Sequence, residues 1–161
     1  MINRSTDDKI RVLSLSYGKD SLACLGAIEQ LGWPLDRIVH AEVWATDTIP
    51  ADLPPMVEFK AKADAIIKER WGFEVEHVRS QHSYEGYFYH QHTYNKTGKG
   101  TPILFPERNG IYGFPVRVGQ WCNSRLKVSA LSKAQKGASV VYIGIAVEET
   151  ARYHNLTGVK R

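Results

Sequence analysis

The feature that most constrains this chain is the way its hydrophobic period switches over residues 10–78. Ile10 to Ser16 (IRVLSLS) carries Ile10, Val12, Leu13 and Leu15 and ends just before Gly18, as a short buried strand does. From Asp20 the spacing turns helical, with Leu22, Leu25, Ile28 and Leu31 three residues apart and Gly32 and Pro34 supplying a stop. Ile38 to Ala45 (IVHAEVWA) predicts a second strand, and the proline- and aspartate-rich stretch Ala45 to Pro55 a loop. Met56, Phe59, Ala63, Ile66 and Ile67 predict the apolar face of a second helix ending near Trp71 and Gly72. Phe73 to Val78 alternates as a third strand. Strand–helix–strand–helix–strand in about 70 residues predicts a parallel sheet with helices on its faces. Ligands of such sheets bind at the carboxyl ends of the strands, near a switch in strand order. The loops after Ser16 and Ala45 are expected there.

Residues 80–120 break the rhythm, being rich in Tyr, His, Gly and Pro with no clear period. A long excursion of this kind in a compact domain is usually a functional loop or lid. Patterning resumes with a helix from about Asn123 to Lys136 and a fourth strand, Val140 to Ile145. The expectation is therefore a single α/β domain over residues 1–161, three-layered, with a mainly parallel sheet and one loop-rich excursion. Two cysteines make neither a disulfide framework nor a four-thiolate metal site. No apolar run approaches the roughly 18 residues of a membrane span, and the polar N-terminus does not read as a signal peptide. A cytoplasmic location without membrane association is the expectation.

The net charge of +4 conceals an asymmetry. Residues 1–80 carry 10 basic and 13 acidic side chains (−3), whereas residues 81–161 carry 11 basic and 4 acidic (+7). Either an anionic partner or a solvated basic surface accounts for the second half. Arg117, Arg125, Lys127 and Arg152 are its basic residues nearest the segments described below. As a set they suit a second anionic group, such as a ribose phosphate or a nucleic-acid backbone.

Ser16-Tyr17-Gly18-Lys19-Asp20-Ser21, joining the first strand to the first helix, is the most informative segment. A helix N-terminus presents unpaired N–H groups and partial positive charge to an anion. Gly18 permits close backbone approach, Lys19 adds a full charge, and the Ser16 and Ser21 hydroxyls donate. It is not a Walker A loop, because Leu13 stands where that motif needs its first glycine. The plain alternative is a helix N-cap with an incidental lysine.

SYGKDS in this position resembles the PP-loop, S-x-G-x-D-S, of ATP pyrophosphatases and phosphoadenosine phosphosulfate (PAPS) reductases. Three further segments resemble that family in order and spacing. Thr46-Asp47-Thr48 is similar to its (D)-T-G segment, and Trp121 to Lys127 to the segment opening its next helix. Gly144-Ile145-Ala146-Val147-Glu148-Glu149-Thr150-Ala151-Arg152 resembles G-I-R-x-x-E-S-x-x-R, with Ala146 in place of the first arginine. The resemblance implies an adenine nucleotide alpha hydrolase-like fold whose loop, with Gly144 and Arg152, holds the phosphates or sulfate of ATP or PAPS. Lys19 and Asp20 would act at the reacting group and Asp47 near the ribose or a metal. In the ATP branch pyrophosphate leaves and Mg²⁺ spreads the charge. In the PAPS branch a cysteine thiolate takes the sulfonyl group, and a thioredoxin-like reductant follows. The iron–sulfur branch of the family needs paired cysteines, so no iron–sulfur cluster is expected. A second reading is a non-catalytic nucleotide-binding or interaction module derived from the same fold.

Cys24, between Leu22 and Leu25, reads as a small core residue. Cys122 opens a helix near Arg125 and Lys127, a setting that favours thiolate, and it stands as a candidate sulfur nucleophile beside the alternative of packing against Trp121. His82, His90 and His92 have few carboxylates near them, so no metal site is expected. Tyr84, Tyr87, Phe88, Tyr89 and Tyr94 either stack on a base or pack the excursion onto the sheet.

Overall fold

A computed structural model describes residues 2–90, 112–115, 120–146, 148 and 149. It is an α/β architecture with a mainly parallel four-stranded sheet and flanking helices. Strand β1 (Arg11–Ser14) leads to helix α1 (Lys19–Gln30), then to β2 (Arg37–Glu42), α2 (Pro54–Trp71) and β3 (Val75–Arg79). A short helix α3 (Tyr84–Phe88) follows within the excursion. A longer helix over residues 121–134 is π-helical at Asn123–Val128 and α-helical at α4 (Ser129–Ala134), and β4 (Val140–Ile143) comes last. No helix among the described residues is long and apolar enough to cross a membrane.

The strand order is β3-β2-β1-β4, with β1 pairing parallel to both β2 and β4. Leu13 pairs with Ile38 on one side and Tyr142 on the other. At the centre of β1, flanked on both sides and covered on both faces, Val12 and Leu13 are fully buried, as is Val39 of β2. Leu13, Leu15 and Ile38 share a core with Leu25 and Ile28 of α1 and Ala63 and Ile67 of α2. Gly32 and Gly72 adopt positive φ (63° and 73°) immediately after α1 and α2, the left-handed conformation that ends a helix.

The chain divides into two compact units. One comprises Met1–His40, Glu58–Glu76 and Gln135–Arg161; the other comprises Ala41–Val57 and His77–Ala134. In the second unit, residues 43–51 fold back on themselves. Ala51 N–H donates to the Val43 carbonyl (2.9 Å) and Ala45 N–H to the Ile49 carbonyl (2.9 Å). Helix α3 begins against this turn, with Tyr84 and Glu85 N–H groups donating to the Trp44 and Ala45 carbonyls at 2.7 and 3.0 Å.

Two expectations change. Along α2, Phe59 and Ile66 are exposed and Ala63 and Ile67 buried, so the inward face is rotated toward Lys60 and Asp64. The excursion is not wholly irregular, because Ser83 caps α3 by accepting from Gly86 N–H (3.2 Å).

Candidate anion-binding site

In an open parallel sheet the ligand crevice lies where the connections leave in opposite directions. Here the chain moves from β1 toward β2 and β3, and the last strand returns to the other side of β1. The switch therefore falls between β1 and β4. The loops that close it are residues 15–18 and the stretch starting at Gly144. A Cβ built on Gly144 would lie 2.5 Å from the carbonyl carbon and oxygen of Asp20 and 2.6 Å from Ser21 N, so only glycine fits. The two loops are in backbone contact at the start of α1.

That helix start carries no side-chain cap. Its N-cap is Gly18, extended at φ −75°, ψ 160°, and the first intrahelical bond runs from Leu22 N–H to the Gly18 carbonyl (3.0 Å). The N–H groups of Lys19, Asp20 and Ser21 precede that bond and point out of the helix end. Ser21 is buried and organises the loop from inside. Its hydroxyl donates to the Gly18 carbonyl (3.0 Å), accepts from Ser16 N–H (3.2 Å) and lies 3.0 Å from the Ser16 hydroxyl. Ser16, Gly18 and Lys19 are exposed. The exposed surface thus combines an uncapped helix N-terminus, a hydroxyl, a side-chain-free backbone and an ammonium. Such a surface suits a phosphate or sulfate group.

Tyr17 stands apart from the rest of the loop. It is the one non-glycine at positive φ (58°) among the described residues, and it is 4% exposed. Its hydroxyl donates to Asp64 of α2, and its ring meets His40 of β2 edge-on at 4.7 Å. His40 Nδ1 lies 2.8 Å from the Leu15 carbonyl, and Nε2 lies 2.9 Å from Lys60 Nζ. A carbonyl only accepts, so Nδ1 carries the hydrogen and Nε2 accepts from Lys60. The Lys60 ammonium also sits 5.5 Å from the centre of the Tyr17 ring. His40, Lys60 and Asp64 did not stand out in the sequence. The available signal was Lys60 and Asp64 at i and i+4 on the face that Ala63 and Ile67 share.

The second unit holds other expected residues. Asp47 is exposed at the tip of the 43–51 turn, which Thr46 Oγ1 tightens by accepting from Ile49 N–H (3.1 Å). Cys122 is half-buried in the first turn of the helix over residues 121–134, at helical φ −56° and ψ −48°. Trp121, beside it, is buried, and its indole donates to the Gly113 carbonyl (3.0 Å). Arg125 and Lys127 are exposed on the π-helical stretch, with the Arg125 guanidinium 5.7 Å from the centre of the Tyr112 ring. Such stretches are frequent at functional positions. Tyr84, Tyr87 and Tyr112 pack around Trp121 at 5.2 to 5.9 Å between ring centres. These aromatics of the excursion thus pack on one another.

Arg117 and Arg152 lie outside the described residues, as do His92 and Tyr94. His82 and His90 rings are 5.4 Å apart, and no group of three metal-ligating side chains occurs among the described residues. Cys24 is half-buried against the core rather than within it, and burial, with the Asp20 charge second, pushes its thiol up. No family model matches the chain, nor does any curated protein or solved structure.

Proposed function

We propose that this chain is a PP-loop enzyme of the PAPS-reductase type, with an adenine nucleotide alpha hydrolase-like fold, that binds ATP or PAPS through residues 16–21. The observation that carries the reading is the contact of Gly144 with the Asp20–Ser21 peptide at the β1/β4 switch. It joins two of the motif-like segments at the uncapped end of α1, where fold topology expects a ligand. The loop's contribution is positioning and charge. N–H groups and Lys19 gather the phosphate or sulfate oxygens and meet negative charge as it develops on the leaving group.

Two reactions fit such a site. With ATP, a nucleophile on the second substrate attacks the α-phosphorus, the bond to the bridging oxygen breaks, and pyrophosphate leaves. Mg²⁺ would supply charge neutralisation on the phosphate oxygens, needing few protein carboxylates. With PAPS, a cysteine thiolate, for which Cys122 is the candidate, would attack the sulfonyl sulfur and adenosine 3′,5′-bisphosphate would leave. A thiol of a thioredoxin-like reductant then attacks the Cys122 sulfur, releasing sulfite. Arg125 and Lys127, with Arg117 and Arg152, would serve the remaining anionic groups of nucleotide or second substrate, nucleic acid included.

Incubation with ATP and Mg²⁺, and separately with PAPS and thioredoxin, tests the proposal by following AMP, pyrophosphate and sulfite. Sulfite that disappears in Cys122→Ser assigns the reductase. Pyrophosphate without sulfite assigns the ATP branch. Binding without turnover, weakened by Lys19→Ala, assigns the nucleotide-binding module. Absence of binding to either nucleotide overturns the reading.

A further inference from the structure

We propose that Tyr17 is a positioning residue that clamps the anion loop from beneath, through Asp64 and the His40–Lys60 pair. The inference rests on the nucleotide reading for its functional consequence, but the clamp itself is a statement about the loop's backbone.

A tyrosine at φ 58° occupies the left-handed region that side chains with a Cβ avoid, and an isolated loop would leave it. Something must therefore hold it there, and the surroundings of Tyr17 account for the hold. The ring is 4% exposed and edge-on to His40, whose own orientation is fixed at both nitrogens. The hydroxyl is bonded to Asp64 on α2, one helical turn beyond Lys60. The loop is thus tied at Leu15, through His40, and at Tyr17, through Asp64, to β2 and α2 respectively. Both ties fall within the three residues before Gly18. The positive φ of Tyr17 is followed at once by the extended Gly18 that caps α1, whose first three N–H groups have no intrahelical acceptor. Release of Tyr17 lets φ return to negative values and turns those N–H groups away from a common point.

This arrangement separates two jobs that a glycine at position 17 would combine. A glycine permits the conformation, whereas the clamped tyrosine selects it. Preorganisation of this kind raises affinity without adding a contact to the ligand. Tyr17 therefore acts through the backbone it holds, its phenol being engaged with Asp64.

The test uses the full chain with four variants. Tyr17→Gly and Tyr17→Asn both allow positive φ but remove the clamp, Tyr17→Phe removes only the bond to Asp64, and Asp64→Asn weakens that bond from the other side. Two readouts are taken: hydrogen exchange of the amides of residues 16–22, and the Kd for ATP with Mg²⁺ and for PAPS. Expected are faster exchange confined to those amides, and a Kd about tenfold higher in Tyr17→Gly and Tyr17→Asn, with smaller shifts in Tyr17→Phe and Asp64→Asn. In the Tyr17→Phe, Asp64→Asn double variant the two shifts should not add, because one bond is removed twice. A purely structural role would lower the melting temperature and leave loop exchange and Kd unchanged in molecules still folded. Unchanged exchange and Kd in folded Tyr17→Gly overturn the clamp. If the parent protein binds neither nucleotide, the nucleotide reading fails. The exchange arm then still decides the clamp, since local loosening supports it and its absence refutes it.

Discussion

Substitution of Gly144 by alanine should cost both stability and affinity, and its size follows from the geometry. The added Cβ would sit 2.5 Å from two backbone atoms of Asp20, whereas ordinary contact begins near 3.4 Å. The separation must open by about 0.9 Å (3.4 − 2.5), and the atoms in the way belong to the first turn of α1 rather than to a side chain that can rotate aside. Forcing a methyl group into packed backbone costs about 1–3 kcal/mol. Against a total stability of about 5–15 kcal/mol the protein still folds. At this chain length the loss corresponds to roughly 2–4 °C of melting temperature per kcal/mol. Urea unfolding checks it: the midpoint should fall with the m-value unchanged, because the same surface is exposed on unfolding. The same displacement moves the N–H groups of the anion loop by a large fraction of a hydrogen-bond length. Loss of one such hydrogen bond to a charged group costs about 1.5–3 kcal/mol, so the Kd for the proposed nucleotide should rise about 10- to 100-fold. An alanine variant within about 0.5 kcal/mol of the parent, the range of an ordinary surface change, with unchanged affinity would refute the close approach and the site built on it.

Gly18→Ala is the complementary case. Its Cβ would meet only Ser16 Oγ, at 3.5 Å, so stability should change by no more than about 1 kcal/mol while nucleotide affinity falls. Lys19→Ala should leave thermal unfolding nearly unchanged and raise the nucleotide Kd about tenfold, more at low than at high salt, measured by calorimetric titration. Asp36 accepts from Ser5 N–H and hydroxyl (2.8 and 2.6 Å) and Arg11 N–H (2.8 Å). Burial alone would push its carboxyl up, but those bonds and the Arg11 charge outweigh it and hold it below its usual range. Its stabilisation is therefore present above the unfolded carboxylate value, near 3.9, and lost as pH falls through the lower folded value. Asp36→Ala should cost about 2–3 kcal/mol near pH 7, and the difference from the parent should vanish in acid unfolding curves. Cys24, with its thiol pushed up by burial, should resist iodoacetamide at pH 7.5 in the folded protein and label only on unfolding, as peptide mass mapping would read.

The order of strands and helices was legible because each element carries its own period. Leu22, Leu25 and Ile28 mark α1 without help from the rest of the chain, and the Val12–Leu13 run marks a strand covered on both faces. Strand order was not legible, since no local pattern says on which side of β1 the last strand returns. Only the assembled sheet puts the switch between β1 and β4. The inward face of α2 was misread for a related reason. Phe59 and Ile66 are more hydrophobic than Lys60 and Asp64, and a count of apolar residues places them inside. The helix turns otherwise because Tyr17 and His40 offer buried polar groups that need partners, and Lys60 and Asp64 satisfy them. A buried polar demand on one element is invisible until the element that meets it has been placed beside it.

The same dependence bears on how the anion loop is charged. Residues 1–80 are net negative (−3), so the loop does not sit in a broadly positive half of the sequence, and Lys19 must supply its full charge locally. What remains is the uncapped start of α1, whose attraction depends on three N–H groups pointing together and weakens within one turn. Direction therefore matters more here than charge. A site that relies on oriented N–H groups gains most from fixing its backbone, which is what the buried ties at Leu15 and Tyr17 and the tight contact at Gly144 do. The substitution that should harm binding most is accordingly the one that displaces the backbone, at Gly144, while loosening it at Tyr17 should cost about as much as losing the Lys19 charge. Lys19→Ala, which removes one exposed charge and leaves the N–H groups in place, should harm it no more than Gly144→Ala does.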